Sequence, residues 1–152
     1  MLIRIRVFAL FILSFAILTS CGDSSNQGGT EPTVSAAAEV HPEMIQPSEI
    51  DVTTPLNAEW VDAGKQTYEL KCQSCHKLSD ERVVGPGWAG ITNRREPAWI
   101  MNMILNVDMM LEKDPEAQKL LEQCLVRMPN QNLTKEESRE VIEFMRHNDG
   151  VN

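Results

Sequence analysis

Hydrophobic and polar positions divide this chain into three stretches. Val7 to Leu18 is an apolar run of twelve, interrupted only by Ser14. Residues 22–56 show almost no hydrophobic periodicity. Gly22 to Thr30 is all Gly, Asp, Ser, Asn, Gln and Thr, and prolines follow at 32, 42, 47 and 55. Such a composition buries too little apolar surface to order itself. From residue 57 a helical period sets in. A first helix is predicted from about Ala58 to Lys71, with Asn57 as N-cap and Val61, Gly64 and Tyr68 on one face. Pro97 suits the first position of a second helix, and Ile100, Met103, Ile104 and Val107 form its buried stripe. Asp114-Pro115 opens a third helix, whose apolar face is Ala117, Leu120, Leu121, Cys124 and Leu125. Thr134 to Glu137 is a T-x-x-E capping box for the last helix. Val141, Ile142 and Met145 form its inner face, Phe144 flanks it, and Gly150 lies past its end. Between the first two helices, Leu78 to Arg95 is a loop rich in Gly and Pro. No strand alternation is present. The expectation is one all-α domain of about four helices over residues 57–152, preceded by a flexible linker over 21–56.

The apolar run near the N-terminus is shorter than the ~20 residues a membrane span needs. With Arg4 and Arg6 before it, residues 1–20 read as an export signal peptide. Leu18-Thr19-Ser20-Cys21 resembles a bacterial lipobox, which implies cleavage before Cys21 and lipidation of its thiol. Several acyl chains there would hold the mature chain stably on a membrane. The expected location is therefore the periplasmic side of a bacterial cell envelope.

Charge narrows the partners. The formal charge is −8, and loss of residues 1–20 removes two arginines and no acid, bringing it to −10. Nucleic acid is a poor partner for such a chain, and a basic protein surface a good one. Four cysteines occur, at 21, 72, 75 and 124. They form no disulfide framework, so a domain this small needs another source of core.

That source is predicted by Cys72-Gln73-Ser74-Cys75-His76. Two cysteines three apart, followed directly by histidine, form the attachment signature for c-type haem. Each thiol adds to one vinyl group of the macrocycle. Both vinyls lie on one edge, so one turn of chain reaches both. His76 is then held under the ring as proximal iron ligand. A thioredoxin-like use of C-x-x-C needs a βαβ context that is missing. A zinc site needs further Cys or His ligands, and no second pair follows. His41, beside Pro42 in the linker, reads as solvated, and Met44-Ile45 as at most a short docking spot.

With these residues in view, positions 57–149 resemble the small soluble (class I-type) monohaem cytochrome c family. The resemblance implies a cytochrome c-like fold around one covalent haem c. It implies that Gly64 and Tyr68 mark where the first helix crosses the last. The counterparts on the last helix are Val141 and Phe144, or Ile142 and Met145. It implies that the Pro86 carbonyl, after Gly85, accepts the His76 ring N–H. It further implies that Met128, before Pro129, is the distal ligand. Met109 and Met110 are the alternatives, in a segment from Asn106 to Glu122 that is longer and more acidic than a minimal member needs. Four-helix-bundle cytochromes are excluded, because they carry the haem motif near the C-terminus.

Other residues have both a plain and a functional reading. Trp88, Trp99, Arg94 and Arg95 either supply donors to the haem propionates or are core and surface groups. Cys124 reads as a small buried hydrophobe rather than a redox switch. A His/Met iron has no open position, so the expected role is electron transfer and not catalysis. The expected carrier runs between a quinol-oxidising complex and a periplasmic or membrane reductase or oxidase. The alternative is a haem c subunit, or an open-site haem sensor or enzyme, within a respiratory complex.

Overall fold

A computed structural model describes residues 44–152. The signal peptide read over residues 1–20, the lipidation site Cys21, and the linker up to residue 43 lie outside the described residues. Six helices follow one another: α1 (Ala58–Lys71), α2 (Ile91–Arg94), α3 (Pro97–Leu105), α4 (Val107–Lys113), α5 (Pro115–Cys124) and α6 (Lys135–Asn148). No strand forms among the described residues, so the all-α expectation holds.

The frame is the crossing of α1 and α6. Asn57 caps α1 by accepting from the N–H groups of Glu59 and Trp60. Thr134 and Glu137 cap α6 reciprocally, as the T-x-x-E pattern predicts. Val61, Gly64 and Tyr68 bury one face of α1 against Val141, Ile142, Phe144 and Met145 of α6. At Gly64 the helices nearly touch. A Cβ there would lie 2.1 Å from the Glu140 carbonyl oxygen and 3.0 Å from the Phe144 Cβ. In an open helix, Gly→Ala stabilises by roughly 0.5–1 kcal/mol. Here the sign should reverse. Gly64→Ala is expected to force the helices apart and cost about 1–3 kcal/mol, as overpacked cores do. The check is a lower denaturant midpoint at unchanged m-value.

Four differences from the sequence reading matter for the site. First, an extra helix, α4, follows Asn106 ahead of the helix that Asp114-Pro115 opens as predicted, α5. Val107 and Met110 turn inward from α4 and Ala117 from α5, all three buried. Second, the chain bends at Asn106, and Met101 enters the core of α3 where the stripe placed Met103. Third, α2 interrupts the long loop. Asp149, just past α6, accepts from the N–H groups of Gly90 (2.6 Å) and Thr92 (2.9 Å) and from the Thr92 hydroxyl (2.7 Å). Fourth, Leu125 leaves the apolar face of α5 and lies exposed.

The linker expectation also needs correction at its C-terminal end. Residues 44–56 are docked onto the domain as a strap. Ile45, Ile50 and Leu56 pack against the core. Ile45 exchanges two 2.9 Å hydrogen bonds with the buried Asn102 side chain, its N–H donating to Oδ1 and its carbonyl accepting from Nδ2. Arg139 donates to the Asp51 carbonyl (2.8 Å) and Arg146 to the Thr53 carbonyl (2.9 Å). Both arginines also hold Glu143, which is only 1% exposed. The Asn57 N–H donates to the same carboxylate at 3.1 Å. Burial pushes Glu143 up, but Arg139, the Asn57 N–H and Arg146 outweigh it and hold the carboxyl below its ordinary value. A buried charge is tolerable only when paired in this way. Polar composition alone concealed the strap, because backbone groups rather than apolar side chains make most of its bonds.

Candidate functional site

The C-terminus of α1 delivers the cysteine pair. The Cys72 N–H closes the last turn on the Tyr68 carbonyl. The N–H groups of Cys75 (3.1 Å) and His76 (2.9 Å) then both donate to the Cys72 carbonyl. The segment thus forms one tight turn that holds both thiols and the imidazole on a single loop. Neither cysteine is in a disulfide. Burial pushes the Cys72 thiol up to about 11, so it is protonated at neutral pH. A redox-active C-x-x-C pair depends on a depressed value, and Cys72 shows the reverse. Tyr68 donates its hydroxyl to the His76 carbonyl at 2.8 Å, pinning the turn from below.

The His76 ring is held from two sides. Its Nδ1 lies 2.8 Å from the Pro86 carbonyl oxygen. A carbonyl only accepts, so Nδ1 carries the proton and Nε2 keeps its lone pair. Burial lowers the ring's pKa, and the Pro86 bond only partly opposes it, so the imidazole is neutral at pH 7. Gly85 passes directly against the ring. A Cβ at this position would meet His76 Cε1 at 2.3 Å. The indole of Trp88 stacks at 5.4 Å on the remaining side.

The imidazole borders a cavity of about 570 Å³. Its walls are apolar, with Ile100 and Ile104 from α3 and Leu120 and Leu121 from α5. A volume in this range suits a cofactor or drug-sized molecule. Met128 lines the same cavity from the loop between α5 and α6. A second cavity of about 40 Å³ shares Cys75, His76 and Met128 and adds Cys72. The structure therefore brings Cys72, Cys75, His76 and Met128 to one place. It does not bring Met109 or Met110 there. Met110 is wholly buried in the core, and neither lines either cavity. Met103 and Met145 do line the larger one. Sequence reasoning assigned both to the core, and Ile100, Met103, Ile104 and Val107, the stripe predicted for this helix, all line the cavity.

The polar groups of the cavity are few. Trp99 lines it with a buried Nε1–H that has no partner. Arg95 stacks over the same indole at 4.6 Å and pairs with Glu116 at 3.1 Å. Arg94 lines the cavity and donates to the Ala89 carbonyl. An unsatisfied donor at the wall, with the guanidinium groups of Arg94 and Arg95 on the same cavity, suits an anionic acceptor such as a haem propionate. Trp88 also lines both cavities and packs in the core against Tyr68, 5.0 Å away. Cys124 borders the cavity half-buried. No group of three or more His, Cys, Asp or Glu side chains converges among the described residues, so the zinc alternative lacks its ligands. The thiol pair, the neutral imidazole, the apolar slot and the orphaned indole together fit a covalently held haem.

Comparison with known proteins agrees with this geometry. The family described as "Cytochrome c" matches residues 61–149. Among solved structures, the chain is similar to a cytochrome c from Rhodothermus marinus at 30% identity and a TM-score of 0.64. That match covers 66% of this chain and 85% of the other. It is also similar to an engineered form of that protein at 29% identity and a TM-score of 0.63, over 66% and 86% of the two chains. A third structure, the engineered form bound to a carbene intermediate, matches at 29% identity and a TM-score of 0.60, with the same coverage. No curated protein sequence matches.

Proposed function

The chain belongs to the cytochrome c family and holds one haem c covalently, and from that premise we propose that it is a membrane-tethered carrier linking a quinol-oxidising complex to a periplasmic or membrane reductase or oxidase. Members of the family transfer electrons. Bound haem supplies a one-electron ferric/ferrous couple. The chain's own residues decide how that couple is used.

In this reading, Cys72 and Cys75 hold the macrocycle through thioethers. His76 is the proximal ligand, and its Nδ1–H bond to Pro86 sets ring orientation and raises ligand basicity. Met128 is the distal ligand. The single observation that supports carriage over catalysis is that His76 and Met128 border the same two cavities. A haem held between these two side chains would leave no open position for a substrate. The apolar walls exclude water, so little solvent reorganises when the charge changes. Carbon monoxide binding provides the test. The ferrous protein should bind it poorly, and rapid binding would favour the open-site sensor or enzyme.

The tether is proposed to run from a lipidated Cys21. None of the helices in the described residues is long and apolar enough to cross a membrane, so attachment would rest on that lipid. Cys21→Ser should leave the protein either uncleaved at its signal or free of the membrane. Mass spectrometry of the mature N-terminus decides the point. Any terminus other than an acylated Cys21 rules the anchor out.

A further inference from the structure

The loop between α5 and α6 presents Met128 without a backbone ladder of its own. From Val126 to Leu133, no backbone N–H donates to a backbone carbonyl among the described residues. Local side chains supply part of the order. Gln131 donates to the Pro129 carbonyl at 2.9 Å, and the Asn132 N–H donates to Asn130 Oδ1 at 2.8 Å. These bonds shape the loop but do not attach it to the rest of the domain. The polar attachment comes from three cationic side chains. Arg127, next to Met128, pairs with Asp108 of α4. Arg82 donates to the Gln123 carbonyl at 2.7 Å, and Lys71 donates to the Gln131 carbonyl at 3.1 Å.

The two carbonyls lie on either side of Met128. Gln123 is in the last turn of α5, where a carbonyl has no partner within the helix. The two donors, by contrast, share an origin. Lys71 ends α1 and immediately precedes Cys72. The backbone of Arg82 pairs with that of His76 in an antiparallel bridge. Both therefore extend from the turn that holds the thiols and the imidazole. Both are exposed, so they add little to the core. What they do is join segments 60 and 41 positions apart. Lys71 and Gln131 also line the smaller cavity with His76 and Met128.

We propose that Lys71 and Arg82 are positioning residues for the distal ligand. Each clasps one end of the Met128 loop to the segment that carries His76, so the two axial ligands belong to one tied unit. They act through the loop and not on the haem itself. The proposal rests on the reading of Met128 as distal ligand. With the clasps closed the loop opens rarely, and a competing ligand finds the position filled.

The test titrates the ferric holo-protein with imidazole, whose nitrogen competes for the distal position. The competitor binds only when the loop is open, so its apparent affinity follows the open fraction. One hydrogen bond of this kind shifts such an equilibrium by roughly threefold. Lys71→Met and Arg82→Met should each tighten imidazole binding by about that factor. The double variant should tighten it about tenfold, since the bonds sit at separate ends of the loop. The donor exchanges Lys71→Arg and Arg82→Lys should keep the wild-type affinity. Lys65 and Lys113 pair with Glu69 and Glu112, away from the loop. Replacing both by methionine removes the same charge and should leave the affinity unchanged. Met128→Leu should abolish the ferric iron–thioether absorption band. Equal imidazole affinity in the wild type and the Lys71→Met/Arg82→Met variant would overturn the clasp and leave Met128 as ligand. So would an equal rise in the charge-matched control. If the band persists in Met128→Leu, the reading of Met128 fails and the clasp falls with it.

Discussion

Replacing both Cys72 and Cys75 by serine is expected to abolish covalent haem and to unfold most of the domain. Acid–acetone extraction should leave haem on the wild type and remove all of it from the double variant. Either single substitution should reduce attachment through the remaining thioether. The structural effect follows from where the core lies. The α1–α6 crossing packs against itself and one face of α3, but the other face of α3, α5 and the loop carrying Met128 close around the 570 Å³ cavity. No disulfide holds them there. A domain this small has little stability in reserve. Far-ultraviolet circular dichroism of the double variant should show more than half of the helical signal lost. Native helicity without haem would mean that the apolar slot is stable on its own, and that the cofactor is not the missing part of the core.

The second large effect concerns the distal side. Met128→His should keep the iron six-coordinate and lower its potential, because a nitrogen ligand favours ferric iron relative to a thioether. Axial ligand changes act on a scale of tenths of a volt, so a drop on the order of 0.1–0.3 V is expected by redox titration. Met128→Ala should open the position and let ferrous protein bind carbon monoxide. The weak ferric band near 695 nm, which the family associates with iron–thioether ligation, should vanish in Met128→Leu. The informative controls are Met103→Leu and Met145→Leu, since those methionines share the cavity. The band should survive both. Loss of the band in Met103→Leu, with retention in Met128→Leu, would place the ligand on α3.

What was legible in the sequence was information carried by neighbouring residues. The haem motif needs five consecutive positions, and each cap needs four. The close contact at Gly64 was also readable, since a glycine one turn before an aromatic on a buried face has few other uses. The distal side was harder. The helical stripe of Ile100, Met103, Ile104 and Val107 does line the cavity, but Met101, on another face of α3, is buried as well, and no local pattern marks that. Met110 looked available as a ligand because it was read at a helix end before a charged segment, yet α4 turns it wholly into the core. The strap was missed for a related reason. Its bonds join backbone groups to Asn102, Arg139 and Arg146, residues about 57 to 93 positions away. Leu125 misled in the opposite direction. It continues the apolar stripe of α5 in sequence, but the helix ends before reaching it.

The strap changes how far the domain can roam. With an anchor at Cys21, a linker that ended at residue 56 would be about 35 residues long. Docking from Met44 onward leaves only the 23 steps from Cys21 to Met44, a contour of at most about 80 Å. Encounter between tethered partners scales roughly as the inverse three-halves power of linker length. Shortening from 35 to 23 residues thus raises the domain's local concentration near the bilayer about twofold. The same docking fixes the point on the domain, beside Asn102 of α3, from which the remaining chain departs. With Cys21 lipidated as proposed, a bilayer-bound partner would meet a carrier held on a short leash from one defined side.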